Sequence, residues 1–140
     1  MFEGMTFHHI GVAVFDIDST ASLYEAGGYH RSKVVFDPIQ NVNICWLTRF
    51  NSPTIELLSP VDDHSPINQT LGKVGVSPYH FCYAVEDVDQ AIIKLRRQRY
   101  VLISKPVPAV AIRGSRVAFL FNKHVGLIEL VEQPAIIIEE

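Results

Sequence analysis

The alternation of apolar and polar positions predicts short β-strands interleaved with two amphipathic helices. Residues 7–15 and 79–86 are rich in β-branched and aromatic side chains, which favour strands. Each of these runs leads into an aspartate-rich turn and then a helical segment, with Asp16 or Asp18, and Asp87 or Asp89, as candidate N-caps. Four apolar residues of the second helical segment recur at the spacing of one buried helix face: Val88, Ala91, Ile92 and Leu95.

Three short strands are predicted after each helix. In the first half they cover residues 33–37, 41–47 and 54–58, and in the second half residues 101–103, 116–121 and 127–132. Glycine and proline residues are expected to end these elements, among them Gly27, Gly28, Pro38, Pro53, Pro106 and Pro108.

The chain carries this pattern twice. Residues 7–24 align without a gap with residues 78–95, so that His9 falls on His80 at an offset of 71 residues. A later match places Ile-Glu-Leu-Leu, with Glu56, on Ile-Glu-Leu-Val, with Glu129, at an offset of 73. Two matches in the same order at nearly the same offset predict an internal duplication.

The duplication predicts an α+β fold with two βαβββ modules related by pseudo-twofold symmetry. The modules are expected to form one curved mixed sheet around a metal cavity, in a single domain that spans residues 1–140. Module 1 covers residues 7–59 and module 2 residues 78–133. The linker, residues 60–77, is predicted to hold a short helix that Ser65 caps, with Pro66 in its first turn, and that ends near Gly72. The three isoleucines of the tail, residues 134–140, are expected to pack against another apolar surface, such as that of a partner subunit.

Four potential ligand side chains stand at matched positions: His9 and His80 on the first strands, and Glu56 and Glu129 on the last. The glutamates have apolar sequence neighbours, and burying an unpaired carboxylate is costly, so pairing or metal coordination is expected. Two imidazoles and two carboxylates suit one divalent ion such as Zn²⁺, Co²⁺, Ni²⁺, Mn²⁺ or Fe²⁺.

The ordinary alternative is that the histidines are core residues and the glutamates face solvent. Recurrence at matched positions disfavours it. His8 competes with His9, but strand alternation predicts that it points to the opposite face, and only His9 aligns with His80. His30, His64 and His124 have no repeat partner and are left out of the predicted site.

Composition narrows the possible functions. The chain is 48% hydrophobic and 19% charged, with 12 basic and 15 acidic residues and a net charge of −3, which argues against binding nucleic acid or an anionic membrane. The longest apolar runs are too short to cross a bilayer, and residues 1–6 do not look like a signal sequence. Cys45 and Cys82 lie in apolar contexts and are predicted to be buried free thiols. A cytoplasmic protein is expected. Sequence motifs for phosphate loops, serine nucleophiles and Cys-x-x-C pairs are absent.

Three segments resemble one known family. They are His-Ile-Gly-Val-Ala-Val at 9–14, Tyr-His-Phe-Cys-Tyr-Ala-Val at 79–85 and Gly-Leu-Ile-Glu-Leu-Val-Glu at 126–132, and they are similar to the vicinal-oxygen-chelate (glyoxalase/bleomycin-resistance) superfamily. Within it, IELLSPVDDHSPI at 55–67 and RVAFLFNK at 116–123 most resemble the methylmalonyl-CoA epimerases. The resemblance covers about residues 7–133.

The resemblance implies a divalent-metal-dependent isomerase or epimerase that enolises a small carbonyl or acyl-CoA thioester substrate. The family's metal ligands fall on His9, Glu56, His80 and Glu129, and its catalytic base on Glu129. A homodimer is also expected, and no substrate-binding residue is identified.

The chain departs from the family pattern in one important place. Some epimerases carry a second catalytic glutamate on the third strand, whereas residues 40–46, around Asn43 and Ile44, contain no acid. Tyrosine, cysteine or water could substitute there. The turn at 108–114 is also altered. Because this turn would border the entrance for the substrate, the identity of the acyl group is not predicted.

Three other activities remain open at this stage. A glyoxalase I-like lactoylglutathione lyase would need basic residues for its thiol cofactor, for which Arg31, Arg113 and Arg116 are the candidates. An Fe²⁺ dioxygenase needs two histidines and one carboxylate with open positions, and four matched ligands speak against it. The third is a non-catalytic small-molecule binding protein of the same fold.

Overall fold

The computed structural model describes residues 3–140, which form one nine-stranded sheet with three α-helices. Met1 and Phe2, part of the segment in which no signal sequence is predicted, lie outside the described residues. Within residues 3–140, no helix is both long enough and apolar enough to span a membrane.

The elements follow one another in the predicted order. The first half contains β1 (Thr6–Ala13), α1 (Ile17–Ala26), β2 (His30–Arg31), β3 (Val35–Asp37), β4 (Val42–Thr48) and β5 (Ile55–Pro60). After the linker helix α2 (Asn68–Val74), the second half contains β6 (Ser77–Val85), α3 (Val88–Arg96), β7 (Val101–Ala109), a 3₁₀ turn (Val110–Ile112), β8 (Ser115–Asn122) and β9 (Gly126–Glu132).

The strand order confirms the predicted mixed sheet and its repeated construction. The order is β2-β4-β5-β1-β6-β9-β8-β7, with β3 also paired to β4. The first strands β1 and β6 pair antiparallel at the centre, and each pairs in parallel with the last strand of its own half. The registers correspond: Ile10 lies opposite Ile55, and Phe81, its repeat equivalent, lies opposite Ile128.

Both main helices begin at the first of the two candidate aspartates. Asp16 accepts a hydrogen bond from the Ser19 backbone N–H at 3.3 Å, and Asp87 accepts one from that of Gln90 at 3.1 Å. Each aspartate thus satisfies a backbone donor that the first helical turn leaves free. The two caps are equivalent under the repeat.

The helices α1 and α3 cover one face of the sheet. Buried residues of α1, including Ile17 and Ala21, pack with Cys45, Leu47 and Leu57, and α3 packs in the same way on the second half. Because side chains alternate along a strand, the intervening positions of β4, β5 and β9 point to the opposite face. A further core lies on that side, and it includes Ile44, Trp46 and Leu58.

Two predicted boundaries are wrong. Strand β7 continues through Pro106 and Pro108, because it lies at the edge of the sheet, where a missing N–H is tolerated. Helix α2 begins at Asn68 and ends at Val74, and Ser65 does not cap it. The Ser65 hydroxyl instead accepts hydrogen bonds from the backbone N–H groups of Val61 and Asp62, which closes the preceding turn. The two-residue strand β2 was not predicted.

The C-terminal tail packs on its own chain. Ala135 and Ile137 lie against the core that contains Trp46, and the Ile138 N–H donates to the Ala111 carbonyl at 3.0 Å. The Lys33 N–H donates to the carbonyl of Glu140 at 3.2 Å. The tail therefore covers part of the face of the sheet that lies opposite α1 and α3.

Candidate metal centre

The four side chains selected from the sequence meet at the centre of the sheet. Four adjacent strands supply them: Glu56 on β5, His9 on β1, His80 on β6 and Glu129 on β9. One ligand atom from each lies within 4.8 Å of the others. Each half of the chain therefore supplies one imidazole and one carboxylate.

The distances within this quartet are short. His9 Nε2 lies 3.3 Å from Glu56 Oε1 and 3.1 Å from Glu129 Oε1. His80 Nε2 lies 3.4 Å and 3.1 Å from the same two oxygens. The two Nε2 atoms are 3.2 Å apart. All four groups thus point at one small volume.

The glutamates do not face solvent. Glu56 is 4% exposed and Glu129 is 2% exposed. In β9 the flanking residues Ile128 and Leu130 pack against the α3 side of the sheet, so alternation turns Glu129 to the opposite face. The apolar sequence context of each glutamate comes from the helix-facing core, while the carboxylate belongs to the quartet.

Burial and mutual charge shift the pKa values of all four groups. Burial alone would lower the pKa of His80, but the charge and contacts of Glu129 outweigh it and raise that pKa to about 9. Burial also opposes protonation of His9, but its pKa is nevertheless raised, chiefly by the charge of Glu56. Conversely, burial acts to raise the pKa values of both glutamates, and the imidazoles lower them. Both carboxylates are therefore ionised at neutral pH.

The donor set fits a divalent metal ion. Glu129 Oε1 makes no hydrogen bond to any described residue, although it is buried and faces two imidazoles. Two imidazole nitrogens and two carboxylate oxygens are ligands that Zn²⁺ and related transition ions accept. A cation between the four groups would satisfy Glu129 Oε1 and reduce the repulsion between the two carboxylates. The quartet could therefore hold a metal ion.

The expectation that His8 points away from the site is wrong. The pairing of β1 with β6 shifts register between Phe7 and His9, so the simple alternation of side chains fails at His8. Its Nδ1 lies 2.7 Å from His9 Nδ1, and its Nε2 lies 2.6 Å from the Ala135 carbonyl oxygen. His8 thus contacts His9 at the ring nitrogen that faces away from the centre of the quartet.

Two aromatic residues at the site were missed from the sequence. The ring of Trp46 on β4 packs edge-to-face on His9, with centroids 4.9 Å apart, and that of Phe119 on β8 packs on His80 at 5.3 Å. The indole N–H of Trp46 donates to the Ala111 carbonyl at 3.1 Å, which fixes the ring. Trp46 and Phe119 are 73 residues apart, the same offset as the glutamates, and that spacing is the signal that could have identified them.

An apolar cavity of about 450 Å³ lies beside the quartet. Tyr79 and Phe119 line it, and the rings of both contact the imidazole of His80. Most of its wall is aliphatic or aromatic, and its polar residues besides Tyr79 are Gln40, Ser104 and Lys105. The cavity therefore offers a largely apolar space for a small ligand, and Tyr79 and Phe119 connect its wall to His80.

Among the residues that the structure describes, the cavity wall includes no carboxylate. Ile44, one of the residues of the acid-free segment 40–46, is buried in the apolar core. Cys82 is also fully buried, and burial followed by the charge of Glu129 raises the pKa of its thiol well above the usual value. Of the two side chains considered for the second face, tyrosine and cysteine, the described residues of the cavity wall include only a tyrosine, Tyr79.

The remaining histidines stay outside the quartet, as expected. His30 and His124 contact backbone elsewhere or lie in turns, and His64 follows Asp62 in the linker. Cys45 and Cys82 are buried free thiols, which confirms the prediction for both.

Known proteins share the fold and are about 30% identical in sequence. The family model of the glyoxalase/bleomycin resistance protein/dioxygenase superfamily matches residues 8–119. The ethylmalonyl-CoA/methylmalonyl-CoA epimerase of Cereibacter sphaeroides is 30% identical over 118 residues, which cover 83% of this chain and 87% of that protein.

Solved structures agree with this similarity. The crystal structure of methylmalonyl-CoA epimerase from Mycobacterium tuberculosis is 29% identical, covers 91% of this chain and 87% of its own, and has a TM-score of 0.81. A variant of the Streptomyces coelicolor methylmalonyl-CoA epimerase in complex with 2-nitronate-propionyl-CoA is 27% identical, covers 94% and 99% of the two chains, and has a TM-score of 0.80.

Proposed function

The chain belongs to the glyoxalase/bleomycin resistance protein/dioxygenase superfamily, and from that membership we propose that it is a metal-dependent epimerase of a 2-substituted malonyl-CoA thioester. Methylmalonyl-CoA and ethylmalonyl-CoA are the substrates to test first, because relatives over most of the chain are epimerases of these thioesters. The observation that carries the proposal is the buried His₂Glu₂ quartet beside an apolar cavity.

His9, Glu56, His80 and Glu129 would hold the divalent ion. Such an ion supplies Lewis-acid stabilisation of the negative charge that develops on the thioester oxygen when the α-proton leaves. The quartet already contains ionised carboxylates at neutral pH, and all four of its residues are buried.

Glu129 is the better placed of the two carboxylates to take the α-proton. In the sheet it lies opposite Phe119, which lines the cavity. Glu56 lies opposite Trp46, which does not line the cavity. A carboxylate within reach of the α-carbon acts as a general base, and the two flanking electron-withdrawing groups of a malonyl thioester acidify that proton. Glu129 therefore accepts and returns it.

The cavity wall matches the rest of such a substrate. Aliphatic and aromatic residues surround the position that a small alkyl substituent would take. Lys105 is the one cationic side chain among the described residues of this wall, and it is exposed at the rim. We assign to Lys105 an attraction for the negatively charged parts of the substrate.

The absence of a carboxylate from the described residues of the cavity wall affects the expected stereochemistry. With one acidic base at the reaction centre, removal and return of the proton occur most readily on the same face. Exchange of the α-proton with solvent should therefore be faster than inversion of the α-carbon.

The test is proton exchange in deuterated water with metal-loaded protein. We expect deuterium to enter the α-position of methylmalonyl-CoA or ethylmalonyl-CoA, as followed by proton NMR and mass spectrometry. Glu129→Gln should slow that exchange by about 10²–10⁴-fold, the usual contribution of a positioned general base. Glu86→Gln, at an exposed glutamate in the bend just after β6, is the matched control and should retain activity. Failure to exchange either substrate at full metal occupancy would overturn the proposal.

Assembly and location belong to the same proposal. Phe7 and Phe81 are 43% and 49% exposed and pack edge-to-face, which leaves an apolar patch on the α1–α3 side of the sheet. Such a patch supports a homodimer, which light scattering would detect.

The two free cysteines fit a reducing compartment such as the cytoplasm.

A further inference from the structure

The two imidazoles of the quartet are held in different ways. His80 Nδ1 is buried and has no hydrogen-bond partner in residues 3–140. His9 Nδ1, in contrast, lies 2.7 Å from His8 Nδ1. The sequence explains the difference, because the repeat places Tyr79 before His80 at the position that His8 occupies before His9. Only one of the two imidazoles therefore has a hydrogen bond that fixes its tautomer.

The direction of that hydrogen bond follows from the backbone. His8 Nε2 lies 2.6 Å from the carbonyl oxygen of Ala135, and a carbonyl oxygen can only accept. His8 Nε2 must therefore carry a proton, and in a neutral imidazole Nδ1 is then the acceptor. His9 Nδ1 must in turn donate to it. In the neutral form of His9, this leaves the lone pair of Nε2 directed at the centre of the quartet.

Ala135, the tail residue whose carbonyl accepts from His8, is fixed by contacts of the residues before and after it. Before it, the Ser115 hydroxyl donates to the Pro134 carbonyl at 3.1 Å. After it, Ile137 packs on the core and the Ile138 N–H donates to the Ala111 carbonyl at 3.0 Å. The Ala135 carbonyl is thus a fixed part of the fold.

We propose that His8, held by the Ala135 carbonyl of the C-terminal tail, is a positioning residue that sets the tautomer and ring orientation of His9 for metal binding. The inference rests on the metal site of the proposed function. Partners of this kind raise metal affinity because the ligand imidazole no longer has to select a tautomer and a rotamer when the ion binds.

The first test measures metal affinity by competition with a chromophoric chelator, using Zn²⁺ and Co²⁺. His8→Phe keeps a ring beside Trp46 but removes both hydrogen bonds, and it should weaken metal binding by about 10–100-fold. His8→Gln, whose amide can accept from His9 and donate to the tail, should recover most of that loss. Equal affinity of His8→Phe and the unaltered protein would overturn the inference.

The chain offers a matched control for the tail contact. His30 Nε2 lies 3.1 Å from the carbonyl oxygen of Glu139, so His30 also bonds the tail but touches no member of the quartet. His30→Phe should leave metal affinity unchanged. A loss equal to that of His8→Phe would show that general loosening of the tail, and not the position of His9, controls affinity, and this would overturn the inference.

A second readout needs neither activity nor a variant. Long-range ¹⁵N–¹H NMR of the zinc-loaded protein distinguishes the two tautomers of a histidine. We expect protons on His8 Nε2 and on His9 Nδ1, and the His9 Nδ1 proton should be protected from exchange. A proton on His8 Nδ1 would overturn the inference while leaving the proposed function intact. Failure of the unaltered protein to bind any divalent ion would instead overturn the proposed function.

Discussion

Gly11 on β1 lies directly opposite His80 on β6, and the imidazole occupies the space that a side chain at Gly11 would need. A Cβ atom at Gly11 would lie within 2.6 Å of both ring nitrogens of His80, closer than real contacts permit. The repeat equivalent of Gly11 is Cys82, which lies opposite His9. The two halves thus make room for their imidazoles differently. The position of the His80 ring depends on the absence of a side chain at Gly11.

Gly11→Ala should therefore push the His80 ring out of the quartet. We expect a destabilisation of about 1–3 kcal/mol from overpacking and a clear loss of metal affinity. Gly72→Ala is the matched control, because Gly72 lies in α2 with nothing within 4 Å of its virtual Cβ. That variant should be stabilised by about 0.4–1 kcal/mol. Chemical denaturation and metal titration measure both effects, and normal metal affinity of Gly11→Ala would contradict the assignment of His80.

Metal binding should release protons near neutral pH. The pKa of His80 is raised to about 9 in the metal-free protein, so the imidazole is protonated at pH 7.5 and must lose its proton to bind an ion. The apparent affinity should therefore increase as the pH rises towards 9. Calorimetry in buffers of different ionisation enthalpy would measure the released protons. An affinity that does not change between pH 7 and pH 9 would argue against His80 as a ligand.

Both cysteines should be inert towards thiol reagents in the folded protein. Cys45 and Cys82 are 0% exposed, and burial raises the pKa of each thiol. Because the thiolate is the reactive form, a disulfide reagent should modify neither residue until the chain is unfolded in denaturant. Rapid modification of one thiol under native conditions would show that the core opens at that strand.

The lactoylglutathione lyase alternative should fail in a direct assay. Its candidate arginines are paired within the chain, Arg31 with Asp18 at 2.9 Å and Arg116 with Glu132 at 2.8 Å. Arg113 lies 3.4 Å from Glu140. None of the three lines the cavity beside the quartet in the described part of the chain. We expect no turnover of methylglyoxal with glutathione at metal saturation, and measurable turnover would favour the lyase.

The repeat explains why so much of the site could be predicted from the sequence. Residues at equivalent positions of a duplicated unit are related by its symmetry axis, so two matched pairs at offsets of 71 and 73 converge at that axis. The registers of β1 with β5 and of β6 with β9 correspond in the same way. The four ligand positions could therefore be predicted without information about loops or packing.

The features that could not be predicted break the regular pattern of a strand or depend on distant residues. A bulge at His8 cancels the alternation on which its predicted direction was based. Pro106 and Pro108 are strand breakers in the interior of a sheet but not at its edge, and no local pattern indicates that β7 is the edge. The contact of His8 with Ala135 joins residues 127 positions apart.

The placement of the quartet on β5, β1, β6 and β9 affects how quickly a bound ion could exchange with solution. Sheets fray from their borders, here β2 and β7, and β4 and β8 lie between these borders and the four ligating strands. Fraying at either border would leave all four ligating strands paired. Release of the ion would then be limited by passage through the cavity past Tyr79 and Phe119. A ligand seated in that cavity would slow the departure of the ion, and the two dissociation rates would be coupled.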